Sequence, residues 1–401
     1  MTLTLLLDLD DTLLQTNQEV FVPAYFQALS TKLAPQVDSR LIAQALLTST
    51  DAMNQNEDAS QTLSNVFDKS FYPQLGLQAG TLDSAIKNFY ENIFPSLKGI
   101  TAQNPAAKPF VDWAHSKGYR LVIATDPLLP QKATYHRVRW AGFEPEQFEL
   151  ITTYENFHFS KTYVAYYAEV LGRLGWQDGP VLMVGNDMER DILPAKRLGL
   201  ATYFVTDESA SDPEPEAGPH GTLSNLRRWL ESTDLSTLMP SFTNRDAILA
   251  ILASTPAVLC GLLCDFPPEA WSSKAAADDW TMTELLCHLR DTEREIHQMQ
   301  LDLFEEKGEP FIPRPDTGVW ASQRDYMHEN GDEALKNFMA YRQKILNSIK
   351  PLPQPAWERK ARHAIFGPTN FQEVIGFMAD HDRLHIQQAW SILGKLPFPK
   401  V

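Results

Sequence analysis

In the first half of the sequence, short apolar runs alternate with helical patterns, and this limits the fold more than any other feature. Residues 3–7, 121–124, 181–184 and 202–205 are β-rich runs that end at turn or acidic residues. A weaker run at 150–152 is a fifth candidate strand. Amphipathic stretches such as 163–174 lie between them. Strands separated by helices form βαβ units, so a Rossmann-like parallel sheet is expected. From about 17 to 100 the alternation stops. Four helical patterns (20–33, 41–53, 59–67 and 82–94) read there as an insertion, a helical cap.

Residues 207–219 hold five acids, three prolines and no base, the composition of a solvated loop. A helix over 222–230 follows. From residue 244 onward the pattern changes to long helices, expected over 246–263, 282–306, 333–349 and 370–393. Pro256 in the first of these marks a kink or a second start. Thr281-x-x-Glu284 and Thr369-x-x-Gln372 read as capping boxes that open the second and fourth. The expected organisation is an α/β domain over 1–232, a linker over 233–243 and an all-α four-helix bundle over 244–401.

With 51 acidic against 35 basic side chains, the net charge of −16 lacks the basic excess that nucleic acid or anionic lipid demands. Neither partner is expected. Three cysteines make no disulfide framework, and Cys260 and Cys264, four apart, are expected as small core side chains. The apolar start has no basic flank and is broken by Asp8, Asp10 and Asp11, so it does not read as a signal peptide. No apolar run is read as approaching the ~18 residues of a membrane span. A cytoplasmic location is expected.

The run Leu5-Leu-Leu-Asp8-Leu-Asp10-Asp11-Thr12 ends a strand in acids two apart, so Asp8 and Asp10 can face one site at the strand's carboxyl end. In open α/β sheets, ligands bind at that edge. A second strand ends at Thr125-Asp126, Lys161 precedes a helix, and a third strand ends at Gly185-Asn186-Asp187 with Asp191 four residues on. In this order the four elements resemble the haloacid dehalogenase (HAD) superfamily, with its D-x-D-x-[TV], Ser/Thr, Lys and G-D-x₃₋₄-D type motifs. This chain departs at Asn186, Asp126 and Thr162, where relatives often carry an acid, Asn and Pro. The resemblance implies a phosphoric monoester hydrolase acting on a small phosphorylated metabolite. Asp8 would be the nucleophile forming an aspartyl-phosphate, and Asp10 the acid–base group. Mg²⁺ would sit among Asp8, the Asp10 carbonyl, Asp187 and Asp191. Thr125 and Lys161 would hold the phosphoryl oxygens, with Thr12, Asp126 and Asn186 beside the substrate. The insertion corresponds to a cap that closes over substrate. Its aromatics (Phe21, Tyr25, Phe26, Phe67, Phe89 and Tyr90) are read as core, and the sequence names no substrate.

In the second half, His381 and His385 lie four apart and so share one helix face, with His288 on another helix. Three imidazoles suit Zn²⁺, Ni²⁺ or Fe²⁺ and leave a coordination position open. His297, nine residues past His288, is expected to point elsewhere, at the surface. His363 is read as either lining the site or packing. The stretch from Trp280 to Glu293 and the terminal His381-Asp382-x-x-His385 look like the DinB/YfiT-like superfamily of four-helix bundles. That family includes thiol S-transferases, metal-dependent hydrolases and members of unknown activity. Two readings of this half stay open: a second enzyme, or a binding or oligomerisation module whose metal stiffens it. For the first half, the rivals are a non-catalytic domain or a phosphosugar mutase.

Overall fold

The structure is a computed structural model of the 401-residue chain and describes residues 2–206, 217–264, 266–274, 276, 279–305 and 308–396. Most of the expected acidic loop, residues 207–216, lies outside the described residues. The chain divides into two compact units. One comprises Met1–Tyr167 and Asp178–Ser241, the other Ala168–Gln177 and Phe242–Val401.

The first unit has strands β1 (Thr4–Leu7), β2 (Leu14–Thr16), β3 (Thr101–Gln103), β4 (Arg120–Ile123), β5 (Leu150–Ile151), β6 (Val181–Gly185), β7 (Ala201–Val205) and β8 (His220–Gly221). Six of them make one sheet in the order β5-β4-β1-β6-β7-β8, every pair parallel. β1 is buried along its whole length, as expected of a strand with both faces covered, hence its unbroken apolar text. Its neighbours β4 and β6 come later in the chain and lie on opposite sides, so the winding reverses beside β1. That reversal opens a crevice at the carboxyl ends of these strands.

β2 and β3 pair antiparallel, Leu14 opposite Gln103, where the insertion leaves the core and returns to it. Three-residue strands of mixed polarity left no pattern to read. Within the insertion, Gln18–Leu33, Ser39–Asn54 and Leu63–Gln74 are helices capped by Asn17, Asp38 and Thr62. The third starts later than the expected 59–67, because Thr62 Oγ1 accepts the amide of Asn65 and sets the first turn there. The expected 82–94 helix splits into α, π and 3₁₀ segments at Asp83–Asn88, Phe89–Ile93 and Phe94–Ile100.

In the second unit four long helical elements pack together: Arg245–Cys264, Met282–Glu305, Gly331–Ile349 and Phe371–Lys395. The first continues through Pro256 as one helix rather than restarting there. By length and composition it is apolar enough to cross a membrane, correcting the expectation that no run approaches a span. Most of it is buried within its unit, which accounts for the apolar composition. The second opens on the expected Thr281–Glu284 capping box. The fourth is capped one residue later than expected. Asn370 accepts the amide of Glu373, while Thr369, in a strand, donates its hydroxyl to the Glu373 carboxylate instead. That strand belongs to a small sheet, β9 (Phe311–Ile312), β10 (Lys360–His363) and β11 (Gly367–Asn370), which the all-α expectation omitted. Cys264 is exposed rather than core, and Cys260 is half-buried.

Candidate active site and histidine cluster

Asp8 directly follows β1, and its amide donates to Val184 of β6 at 2.9 Å. Thr125 and Asp126 follow β4, while Asn186 and Asp187 follow β6, so the sheet brings all five to the crevice. The chain turns sharply after Asp10. Asp11 adopts a left-handed backbone (φ 52°), which aspartate tolerates, and its carboxylate accepts the amide of Thr16 at 2.7 Å. Thr12 is fully buried and its hydroxyl donates to Asn186 Oδ1 at 3.2 Å.

Lys161 is the hub. Its Nζ lies 2.6 Å from Asp8 Oδ1 and also pairs with Asp191. Burial opposes its charge, but Asp191 and Asp8 outweigh that and hold its pKa well above the usual lysine value. Burial, reinforced by the charge of Asp8, pushes the Asp191 carboxyl up against the pull of Lys161. One ammonium thus serves two buried carboxylates. Asp191 arrives by a π turn, Met188–Ile192, in which Asp187 accepts the amides of Glu189 and Arg190 at 2.9 and 3.1 Å. Asp187 is therefore committed to capping through Oδ1, while Asp191 stands beside Lys161.

Two arginines carry no signal in the sequence. Arg137, on the helix Gln131–Trp140, is buried and pairs with Asp10. It sits in an ordinary basic stretch, so spacing could not mark it. Arg190 pairs with Asp126, which also accepts the Lys161 amide at 3.2 Å. The extra negative charge that Asp126 brings to the crevice is thus matched by a guanidinium. Burial still pushes the Asp126 carboxyl up. The Thr125 carbonyl accepts hydroxyls from Thr152 and Tyr166 at 2.6 and 2.8 Å, which fixes the end of β4. All of the sequence-derived residues of this half except Thr12 line one cavity of about 490 Å³. Phe21, Tyr25, Phe26 and Phe67 line it as well. This corrects their reading as core alone: the helices that bury them also form the cavity wall.

In the second unit, His381 Nε2 lies 3.3 Å from His288 Nε2 and 3.1 Å from His385 Nε2. The ligand atoms of all three fall within 4.8 Å of one another. His385 Nδ1 donates to Gln388 Oε1 at 2.8 Å, which turns the Nε2 lone pair toward the other rings. The buried Nδ1 atoms of His288 and His381 have no hydrogen-bond partner among the described residues. Burial and the neighbouring imidazoles lower His288 to about 3 and His381 well below the usual value; burial also lowers His385. The cluster is neutral, the state in which imidazole donates to a metal.

His297 is buried, not at the surface as expected. Its Nδ1 lies 2.8 Å from Glu293 Oε2, and its ring centroid is 5.7 Å from that of His381. The cause is a π turn at Thr292–His297, which inserts a residue into the helix and turns His297 back toward the cluster. Glu293 and Asp382 both clamp the buried Arg342, with contacts of 2.6–2.9 Å to Glu293 and 2.5–3.0 Å to Asp382. His363 is held in its own turn, where its Nδ1 accepts the amides of Ile365 and Phe366.

A capped α/β core of the hydrolase type, joined to a helical bundle with inward-facing histidines, is the class these two units define. Residues 2–199 match the family model of haloacid dehalogenase-like hydrolases and residues 251–389 that of the DinB superfamily; the N-terminal part belongs to the former and the C-terminal part to the latter. A glyceraldehyde 3-phosphate phosphatase from Methanocaldococcus jannaschii is 25% identical over 114 residues, 28% of this chain. The match spans about half (49%) of that relative's length. Among solved structures, a HAD phosphatase from Thermococcus onnurineus is 18% identical, covering 57% of this chain and 98% of that one, with a TM-score of 0.40. YfiT from Bacillus subtilis is 16% identical, covering 38% of this chain and 87% of that one, with a TM-score of 0.34.

Proposed function

We propose that the first unit is a Mg²⁺-dependent phosphatase of small phosphorylated metabolites, working through an aspartyl-phosphate on Asp8. The observation that carries this reading is the Asp8–Lys161–Asp191 cluster at the sheet's switch point, with Asp10 in the same cavity. Asp8 attacks phosphorus and displaces the ester oxygen. Asp10 gives that oxygen a proton and then takes one from the water that hydrolyses the acyl phosphate. To do so it must exchange Arg137 for the ester oxygen. Thr125 and Lys161 hold the phosphoryl oxygens, with Thr12, Asn186 and Asp126 ordering the rim. Asp8, the Asp10 carbonyl, Asp187 and Asp191 would hold the ion. An all-oxygen donor set whose buried carboxylates share one lysine fits a hard divalent cation. When bound, the ion offsets the charge between carboxylate and phosphate.

Asp8→Asn keeps the shape and removes the nucleophile. Its hydrolysis of p-nitrophenyl phosphate should fall to background while the circular dichroism spectrum is retained. Wild-type turnover by that variant would remove the assignment.

We further propose that His288, His381 and His385 hold one Zn²⁺, Ni²⁺ or Fe²⁺ ion. Convergence of three neutral Nε2 atoms, with no carboxylate among them, supports this reading. Three protein ligands leave a position open for water or substrate, which favours a second hydrolase or thiol transferase over a purely stiffening role. Elemental analysis of the unchelated full-length protein tests it, about one equivalent of transition metal being the expected result.

A further inference from the structure

The cavity of the first unit has two unlike ends. Its floor is charged, and among the described residues every cation lining it has an acidic partner: Lys161 with Asp8 and Asp191, Arg137 with Asp10, and Arg190 with Asp126. Its cap wall, built from Gln18–Leu33, Ser39–Asn54 and Leu63–Gln74, is formed largely by Phe21, Val22, Phe26, Leu46 and Phe67. The polar groups the cap adds to the lining are Gln18, Tyr25, Thr50 and Asn54, all uncharged, and the Tyr25 hydroxyl already bonds that of Tyr90 at 2.7 Å.

Resting on the phosphatase reading above, we propose that the preferred substrates are phosphomonoesters of uncharged, largely apolar alcohols, with Phe21, Val22, Phe26, Leu46 and Phe67 as the specificity surface. With the reacting phosphate on the floor, the alcohol portion faces this wall. A second anionic group, such as a carboxylate or another phosphate, would meet no cation among the described side chains of that wall and would be desolvated unpaired. Arg137, 5.1 Å from the Phe21 ring centroid, belongs to the floor and is held by Asp10 until Asp10 turns to the ester oxygen. A polyhydroxylated alcohol would lose water from its hydroxyls and find few partners in return. An alkyl or aryl group loses nothing polar and gains burial with each methylene. A cavity of about 490 Å³ accommodates phosphate together with such a group.

The experiment compares esters of primary alcohols, so that leaving-group basicity stays nearly constant. Values of kcat/KM are measured on the full-length, Mg²⁺-supplied protein for ethyl, n-hexyl, glucose 6- and 3-phosphoglycerate esters, with p-nitrophenyl phosphate as the control for turnover. The expected result is hexyl phosphate at least 10-fold above ethyl phosphate and above both polar esters. Val22→Lys places an ammonium on the wall and should raise the ratio of phosphoglycerate to hexyl phosphate at least 10-fold. That ratio is unaffected by the fraction of enzyme that folds. If p-nitrophenyl phosphate is hydrolysed but glucose 6-phosphate or phosphoglycerate equals or exceeds the hexyl ester, the specificity proposal is overturned and the phosphatase reading stands. An unmoved ratio in Val22→Lys overturns it equally. If no ester is turned over, p-nitrophenyl phosphate included, both readings fall together.

Discussion

Arg342 Nη1 donates to the carbonyl of Leu252 at 2.8 Å, the acceptor that Pro256, four residues on and without an N–H, cannot satisfy. A guanidinium on a different helix thus replaces a missing rung of the Arg245–Cys264 helix, which is why the chain runs through its proline unbroken. The same side chain is held by Glu293 and Asp382, all three being almost completely buried. Removing one charge from a buried cluster leaves the others under-compensated, at a cost of about 3 kcal/mol or more. Glu293→Gln should therefore lower the urea midpoint of the second unit's transition at pH 7.

Acid should erase that difference. Arg342, aided by His297, holds the buried Glu293 carboxyl down at about 2. A carboxylate with a depressed folded value stabilises fully above its unfolded value, 4.5, and loses that contribution as pH falls toward 2. The gap between wild type and Glu293→Gln is expected to narrow steadily from pH 4.5 downward. A gap that stays constant to pH 3 would show that Glu293 is not ionised against Arg342.

A Cβ added to Gly185 would stand 2.2 Å from Asp191 Oδ2, so only glycine lets that carboxylate lie against the end of β6. Gly185→Ala should displace Asp191 and with it Lys161. A shift of about 1 Å in such a constellation costs on the order of 100-fold in rate. Steady-state hydrolysis of p-nitrophenyl phosphate, checked against thermal melting, measures it.

Asp187 and Asp191 should not contribute equally to Mg²⁺ binding. Asp187 spends Oδ1 on two backbone amides, whereas Asp191 is buried beside Lys161. Mg²⁺ titration of activity should show the greater loss of apparent affinity in Asp191→Asn. Equal losses would show that the two contribute alike, and reversed losses would place the ion nearer Asp187.

The histidine cluster should be separable from hydrolysis. His381→Ala with His385→Ala is expected to abolish transition-metal retention while p-nitrophenyl phosphate turnover stays at the wild-type level. Inductively coupled plasma mass spectrometry and a rate assay on the same preparation decide it.

What was legible in the sequence was whatever a local pattern can carry. β1 was readable because burial on both faces demands unbroken apolar text, and the Thr281–Glu284 cap because its reciprocal bonds fix a spacing. Asp8, Thr125 and Asn186 were readable because each ends such a strand. Arg137 and Arg190 were not, since their partners Asp10 and Asp126 are 127 and 64 residues away. Nothing local distinguishes a guanidinium aimed into a cavity from one in water. β10 escaped because its four residues alternate too briefly to stand out from a turn.

His297 escaped for a different reason, and the π turn that explains it makes segment length a constraint in its own right. The turn already absorbs one extra residue, and deleting one there would let it close to α geometry with the downstream facing kept. Adding a second residue between Thr292 and His297 has no such outlet. Everything downstream, Gln298–Glu305 included, would then turn by about 100° about the helix axis. His297 would leave Glu293 and the ring of His381, although every side chain that contacts them were still encoded. An alignment would score such an insertion as one small gap. In this helix, residue count is as much a part of the inheritance as residue identity, and variants that lengthen the turn will be tolerated less than those that change letters.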